Sequence, residues 1–589
     1  MLDKINILNY SKRELISNLL KLLNNDQREK ILTLLIKLNS DQMDMFCILV
    51  REYKYQFRVP TGVGKGYVMI LHIIFSLMYS DYKIFAIASH RLSLNNQHLR
   101  DIIELVIDMG LISKVKFLTI GSANLNINKV LDDPKNVQLK RKYNKSLAEY
   151  NIPLDIKSRL DTRSIFKSTL SKAQVNQIIT ENTNNGFKTI IVTTYNSLDK
   201  LRDNELDITY LDEAHILASN KEESEFRKSY EMIKSKKRFF FTATPKDVEE
   251  QLIKDGEYSD IFLMNNQDIF GDIYTIPFVK CVLSGYITKP IVHIACPNQY
   301  SDTIDYDSID NRLKFVADTF SAHEKWLKSV SAKPEEIEAK LLIRCKSVPD
   351  MWDMYYKLID ILPSDILLCA GASYGPVRST EGAGKEHVFG KEWISDRDDF
   401  IKKIQEVDDK KKMIILNFDI FSEGINVYGI TGVMFLQGKM PSIAKVIQNI
   451  GRSTRLHRID RDLLRNGQIS TDDYSKWVKP YCAVIIPYWD TCSEFTKNII
   501  AKRVKDLRDS WDFDPHFVLS VGDDISDGDG DDDIEGLNKL NKGNKRIKLI
   551  EEINQEIEKM KNEDMNLVEI EKINQHDEDE HYQYLLTLL

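Results

Sequence analysis

The chain has no run of apolar residues long enough to cross a bilayer, and Met1-Leu2-Asp3-Lys4 begins nothing like a secretory leader. Both absences predict a soluble, intracellular protein that makes no membrane contact. Its seven cysteines (Cys47, Cys281, Cys296, Cys345, Cys369, Cys482, Cys492) include no Cys-x-x-Cys pair, and most sit in apolar, strand-like surroundings. Reduced core thiols are therefore expected in place of zinc ligands or disulfides. Nuclease and methyltransferase signatures are missing, so any cutting would need another subunit. A basic excess is missing too: the formal net charge is −8, which by itself argues against a polyanionic partner.

Charge distribution tempers that last point. Between Lys129 and Lys172 eleven basic residues face five acidic ones, with Lys140-Arg141-Lys142 the densest cluster and Tyr143, Tyr150 and Phe166 interleaved. Such a patch suits a phosphate backbone, with a solvated helical face as the alternative. The acidic excess gathers instead in residues 521–536, a run without a single basic residue. It reads as a linker that buries too little apolar surface to fold, since the spacing fails the turn glycine of a calcium loop.

Length allows three or four domains. Apolar strand-like runs alternate with helical segments, which predicts parallel sheets of α/β class. In the first half these strands are expected at 55–59, 83–88, 115–120, 189–193, 207–211 and 238–241; in the second, at 340–347, 413–418 and 483–487, the last closing its sheet.

The most informative stretch is Ile208-Thr209-Tyr210-Leu211-Asp212-Glu213-Ala214-His215. An apolar strand running into two adjacent carboxylates is how a P-loop ATPase places a metal-holding acid beside a water-activating one. Upstream, Val59-Pro60-Thr61-Gly62-Val63-Gly64-Lys65-Gly66 follows a strand and precedes a helix expected over 67–78. A glycine-bearing turn there leaves backbone N–H groups free to cradle phosphate, aided by the helix dipole, and Lys65 reaches the outer phosphates. Residues 60–66 are thus the candidate ATP-binding turn. Gly66 stands where a Ser or Thr hydroxyl usually touches Mg²⁺. Magnesium needs few protein ligands, so a water is expected in that place while Asp212 holds Mg²⁺ through water from the other side. Gln42, seventeen residues before Val59, offers the donor and acceptor that match the N6 and N7 edge of adenine.

Together these residues resemble the superfamily 2 helicases and translocases, in the branch of type III restriction subunits and phage helicases. Ile87 to Leu92, including His90 and Arg91, is similar to motif Ia. Val192 to Leu198, with Thr194, is similar to the next strand-contacting motif, and Phe240 to Pro245, with Thr242 and Thr244, is similar to motif III. The segment from Phe270 to Pro290 looks like the crossover between halves. Ser422 to Val427 is similar to motif V, although Asn426 replaces the usual acid, and Gln448-Asn449-Ile450-Gly451-Arg452-Ser453-Thr454-Arg455 is similar to motif VI. The resemblance spans about residues 38 to 490.

It implies two tandem RecA-like parallel-sheet domains that use ATP and Mg²⁺. Lys65, Asp212, Glu213, Gln448, Arg452 and Arg455 are the implied catalytic set, Glu213 polarising water and Arg455 serving as the finger on the γ-phosphate. His215, Thr242, Thr244, Gly424 and Asn426 are implied in coupling. His90, Arg91 and Thr194 are implied in nucleic-acid contact, with Lys140, Arg141 and Lys142 added from their charge. The expected organisation is a helical N-terminal segment (1–37), an ATP-binding lobe (38–285, basic insertion 121–188), a second lobe (286–500) and a C-terminal extension (501–589). A tail helix over 547–560 would dock on the lobes or a protein partner. The function implied is an ATP hydrolase of helicase or translocase type, acting on DNA in preference to RNA; a nucleotide-gated clamp and an RNA helicase are the alternatives.

Overall fold

A computed structural model describes residues 25–35, 37–90, 92–121, 166–218, 224–245, 262–297, 308–372, 387–395, 397–418, 429–436, 443–487, 507 and 516–521. Two compact units emerge among the described residues, one up to Ile276 without Thr61–Val63, the other made of Thr61–Val63 and the residues from Pro277 onward.

The first unit is built on eight parallel strands: β1 (Lys54–Arg58), β2 (Ile84–Ser89), β3 (Val115–Ile120), β4 (Phe166–Thr169), β5 (Lys188–Thr194), β6 (Glu205–Asp212), β7 (Lys234–Thr242) and β8 (Asp272–Thr275). Their order is β4-β3-β5-β2-β6-β7-β1-β8. Runs such as Ile190-Ile191-Val192 and Phe239-Phe240-Phe241 are wholly buried, as a parallel sheet covered on both faces requires. Helices α1 (Asn25–Leu35), α2 (Ser40–Arg51), α3 (Lys65–Tyr79), α4 (Leu92–Asp108) and α5 (Lys172–Asn184) belong to this unit. The buried stem of Lys188 carries its ammonium to the last carbonyls of α3, donating to Leu77 at 2.9 Å and Ser80 at 2.7 Å. Burial pushes that amine down to about 8, with Asp81 and Asp207 opposing.

Residues 166–188 lie within the span expected to be an insertion. They instead extend the sheet: β4 pairs with β3, where Phe166 stacks on Phe117 at 4.9 Å, and α5 follows.

The second unit carries nine strands: β9 (Lys289–Pro297), β10 (Lys340–Arg344), β11 (Leu367–Ala372), β12 (His387–Phe389), β13 (Glu392–Ile394), β14 (Met413–Phe418), β15 (Gly432–Phe435), β16 (Tyr481–Pro487) and β17 (His516–Val521). The order β13-β12-β11-β14-β10-β15-β16-β9-β17 is parallel except where β12 turns back between β11 and β13. Helices α6 (Ile309–Val330), α7 (Val348–Ile361), α8 (Ile443–Ser453) and α9 (Arg458–Arg465) accompany it. Two expectations are corrected here. The strand β16 does not close the sheet, because β9 pairs along it from Tyr481↔Lys289 to Pro487↔Ala295. Nor does the lobe end at residue 500, because β17 takes the free edge of β9 and satisfies its backbone groups.

Among the described residues no helix is long and apolar enough to cross a membrane. Cys47, Cys281, Cys345, Cys369 and Cys482 are buried and in no disulfide.

Candidate nucleotide site

Five strands of the first sheet deliver predicted residues to one edge. In register, Arg58 faces Thr242, Asp212 faces Phe241, and Ser89 faces Thr194, so the chain leaving β1, β2, β5, β6 and β7 emerges at the carboxyl ends where open parallel sheets bind ligands. The Val59 N–H donates to the Thr242 carbonyl at 2.9 Å, tying the start of the glycine turn to β7. Gly62 (φ 98°) and Gly64 (φ 87°) then turn the chain through left-handed conformations that a side chain would strain. Gly64 caps α3 without any side-chain bond to the first amides, and burial covers most of the helix behind it. Those amides are the donors a helix start presents to an anion.

Gln42 is held against this turn. Its backbone N–H donates to Asn39 Oδ1 at 2.8 Å, and its side-chain Oε1 accepts from Asn39 N at 3.1 Å, a reciprocal capping box at the start of α2. A Cβ added to Gly64 would lie 2.6 Å from Gln42 Nε2, so only glycine lets the amide approach so closely.

The two carboxylates meet Lys65 at the same edge. Lys65 Nζ donates to Glu213 Oε1 at 3.0 Å and lies 3.6 Å from Asp212 Oδ1. Asp212 is 3% exposed and Glu213 6% exposed, so each would be costly to bury without such a partner. Burial pushes the Asp212 carboxyl up, but the Lys65 ammonium, a hydrogen bond from His98 and the Glu213 N–H outweigh it and hold it well below the usual carboxylate range. Glu213 is the only non-glycine among the described residues with positive φ (55°, ψ 45°). That conformation costs about 1–3 kcal/mol and concentrates at functional sites. The strained turn leaves Glu213 Oε2 buried without a hydrogen bond, 3.5 Å from His215 Nδ1.

His215 connects the acidic pair to β7. Its Nδ1 shares a 3.0 Å hydrogen bond with Thr242 Oγ1, which also accepts the Thr244 N–H at 3.1 Å. Lys65, Asp212, Glu213, His215, Thr242 and Thr244 thus form one bonded cluster. His98, on α4, was not anticipated: its Nε2 lies 3.0 Å from Asp212 Oδ2.

The other predicted residues are placed separately. His90 follows β2 and Thr194 ends β5, both half-buried. Arg452 is buried in α8 of the second unit, and Arg455 lies just beyond that helix. Gln448 is in α8. Arg91, Lys140, Arg141, Lys142, Gly424 and Asn426 lie outside the described residues, as do the acidic run after Val521 and the tail helix.

Residues 8–247 match the family model for the type III restriction enzyme, res subunit. Over that stretch, which is under half of the chain, the protein is similar to the res subunit of type III restriction enzymes. The ATP-dependent Type ISP restriction-modification enzyme LlaBIII bound to DNA is similar in structure, with a TM-score of 0.50 and 14% identity over 86% of this chain; the chain spans 32% of that enzyme's length. S. cerevisiae Dbp5 bound to RNA and ADP BeF3 matches at 12% identity and TM-score 0.46, covering 91% of this chain and 98% of that one. Mycobacterium smegmatis helicase Lhr bound to ssDNA and AMP-PNP matches at 14% identity and TM-score 0.45, covering 84% and 50%. At 14% identity the likeness to LlaBIII is one of fold alone: two tandem RecA-like parallel-sheet domains. No protein among the curated sequences matches the chain.

Proposed function

We propose that this chain is a nucleic-acid-stimulated ATPase that moves along or unwinds its substrate, DNA in preference to RNA, with its first functional body at residues 38–285 and its second from residue 286 onward. The observation that supports it best is the Lys65–Glu213–Asp212 junction at the carboxyl edge of the first sheet, beneath a turn whose Gly62 and Gly64 are left-handed. Phosphoryl transfer is mainly positioning and charge stabilisation, and this cluster is built of those parts.

The donor set fits ATP and Mg²⁺. Asp212 is an oxygen-only ligand whose remaining lone pairs suit a hydrated hard cation. Bound Mg²⁺ would neutralise charge on the phosphates. Residues 60–66 would cradle the phosphates through backbone amides, Lys65 would exchange its carboxylate contacts for phosphate oxygens, and Gln42 would meet the adenine edge through its amide. Glu213 holds an unpartnered buried oxygen, the group needed to orient a water and accept its proton. His215 and Thr242 would carry the state of Glu213 into β7. Gln448, Arg452 and Arg455 are assigned to the γ-phosphate, and Gly424 and Asn426 to coupling, by motif resemblance. His90, Arg91, Thr194 and the Lys140-Arg141-Lys142 cluster are assigned to the strand.

Gly66 favours a second reading, a nucleotide-gated clamp that grips nucleic acid without stepping, because the missing hydroxyl removes a direct metal ligand. ATP hydrolysis rates without polymer and with single-stranded DNA, duplex DNA, a forked duplex and RNA decide between them. The proposal expects at least tenfold stimulation, greatest with a DNA. Tight nucleotide-dependent binding with no stimulated turnover would select the clamp.

A further inference from the structure

Gly66 is the second residue of α3 and has no need of glycine's backbone freedom: its φ is not positive, and a glycine inside a helix is disfavoured relative to alanine. A Cβ at position 66 would lie in ordinary contact with the ring, 3.5 Å from His98 Cε1 and 3.9 Å from His98 Nδ1, so it is a γ atom directed at the imidazole that would collide with it. The next atom round the ring from Cε1, Nε2, lies 3.0 Å from Asp212 Oδ2. His98 is 3% exposed on α4, a helix whose Leu94, Leu99 and Ile102 are buried too. One imidazole edge is therefore adjacent both to position 66 and to the Asp212 carboxylate.

We propose that His98 is a positioning residue for the ATP site, supplying a hydrogen bond that orients Asp212, with Gly66 as its steric complement. This rests on the ATPase reading above. Nε2–H donates to Oδ2 while the Glu213 N–H donates to Oδ1 at 3.0 Å, so both carboxylate oxygens are held, with Lys65 Nζ 3.6 Å from Oδ1. Partners that orient a metal-side ligand typically alter affinity by about 10- to 100-fold.

The relationship is reciprocal, which makes it testable by a double-mutant cycle on Mg²⁺-dependent nucleotide binding. Fluorescent ATP-analogue affinity would be measured in Mg²⁺ and in EDTA for the wild type, Gly66→Ser, His98→Ala and the double variant, with melting temperatures recorded in parallel. Each single change should weaken binding in Mg²⁺ by roughly tenfold or more and leave binding in EDTA nearly unchanged. The serine should be harmful beside His98 and beneficial in its absence, so the double variant should bind Mg²⁺-nucleotide better than His98→Ala alone. A merely structural role would lower the melting temperature and affect both conditions equally. Additive losses in the double variant, or a Gly66→Ser protein that binds better with His98 present, would overturn the proposal. Should His98→Ala melt below the assay temperature, His98→Asn replaces it in the same cycle with the same expected sign. Wild-type protein that binds no nucleotide in either condition would overturn the ATPase reading itself, a result distinct from additivity.

Discussion

The Lys479 ammonium donates to two backbone carbonyls, Arg455 at 2.7 Å and Ser453 at 2.5 Å, and so closes the end of α8. Burial pushes its amine down to about 8, with Asp460 among the carboxylates that partly restore it. Asp460 accepts the backbone N–H groups of Val478 and Lys479 at 2.7 and 2.8 Å, which fixes the segment from which the lysine reaches. Replacing Lys479 with methionine keeps the stem and removes the donors. Hydrogen bonds to charged groups contribute about 1.5–3 kcal/mol, so Lys479→Met should destabilise the protein by about 2 kcal/mol or more in urea. It should also reduce stimulated hydrolysis with nucleotide affinity unchanged, because Arg455 lies at the released end. A variant with wild-type midpoint and rate would show that this latch positions nothing.

Acid sensitivity of the second unit should come partly from two buried histidines. Burial, helped by the Lys479 charge, lowers His323 to about 4, and burial with the neighbouring His323 lowers His293 to about 3. His323 Nε2 shares a 2.9 Å hydrogen bond with Thr431 Oγ1, and His293 packs edge-on to Trp326 at 4.3 Å. The unfolded chain, with histidine near 6.5, binds more protons than the native one below that pH. Their contribution is therefore complete above about pH 6.5 and lost as pH falls toward 4. Calorimetric melts from pH 7 to 4.5 should show a falling transition, and His323→Gln should make that fall shallower. An unchanged slope would remove His323 from the acid response.

The parts of the fold set by local pattern were readable in the chain. The observed β3 and β14 coincide with the runs expected at 115–120 and 413–418, because each is an apolar β-prone segment flanked by polar residues. Strands β6 and β7 begin earlier than expected, at Glu205 and Lys234, where charged residues lie at the exposed start of a strand. Strand order was less readable: the neighbours of β16 depend on crossovers between distant segments, and β17 is paired by backbone groups that carry no side-chain signature. At the site, the spacing of Lys65, Asp212, Glu213 and Thr242 suggested the cluster the structure assembles. Lys479 and His98 had no local signal, since a histidine on an apolar helix stripe reads as core. The clue to His98 lay in Gly66, whose missing side chain leaves room for a ring beside it. Asn39 three residues before Gln42 also spelled a capping box, a role for that glutamine that sequence reasoning passed over.

The basic cluster gives a salt-dependence prediction. Each phosphate contact on a single strand contributes a slope of about −0.7 in log affinity against log salt, so neutralising Lys140, Arg141 and Lys142 together should flatten the dependence by up to roughly two units. Fluorescence anisotropy with single-stranded DNA from 50 to 300 mM salt, on the order of the range used for such slopes, would measure it. An identical slope in the triple variant returns the cluster to a solvated face.

Arg455→Ala should separate binding from turnover. Nucleotide affinity is assigned to Lys65 and Gln42 and should persist, while the polymer-stimulated rate should fall by ~10³-fold, the scale of an arginine finger. Nucleic-acid affinity without nucleotide should be unchanged. Stimulated hydrolysis at the wild-type rate would show that Arg455 does not act on the γ-phosphate.

The central claim is that Lys65 and the Asp212–Glu213 pair form an ATP-hydrolysing centre. Its most direct test is the DNA-stimulated ATPase rate of Lys65→Ala beside the wild type, with circular dichroism and a thermal melt on the same samples. Lys65 is a point charge at the sheet edge with little core to fill, so the variant should retain its secondary structure and a cooperative melt while hydrolysis falls to background. Phosphate release at the wild-type rate from the folded variant would contradict the account.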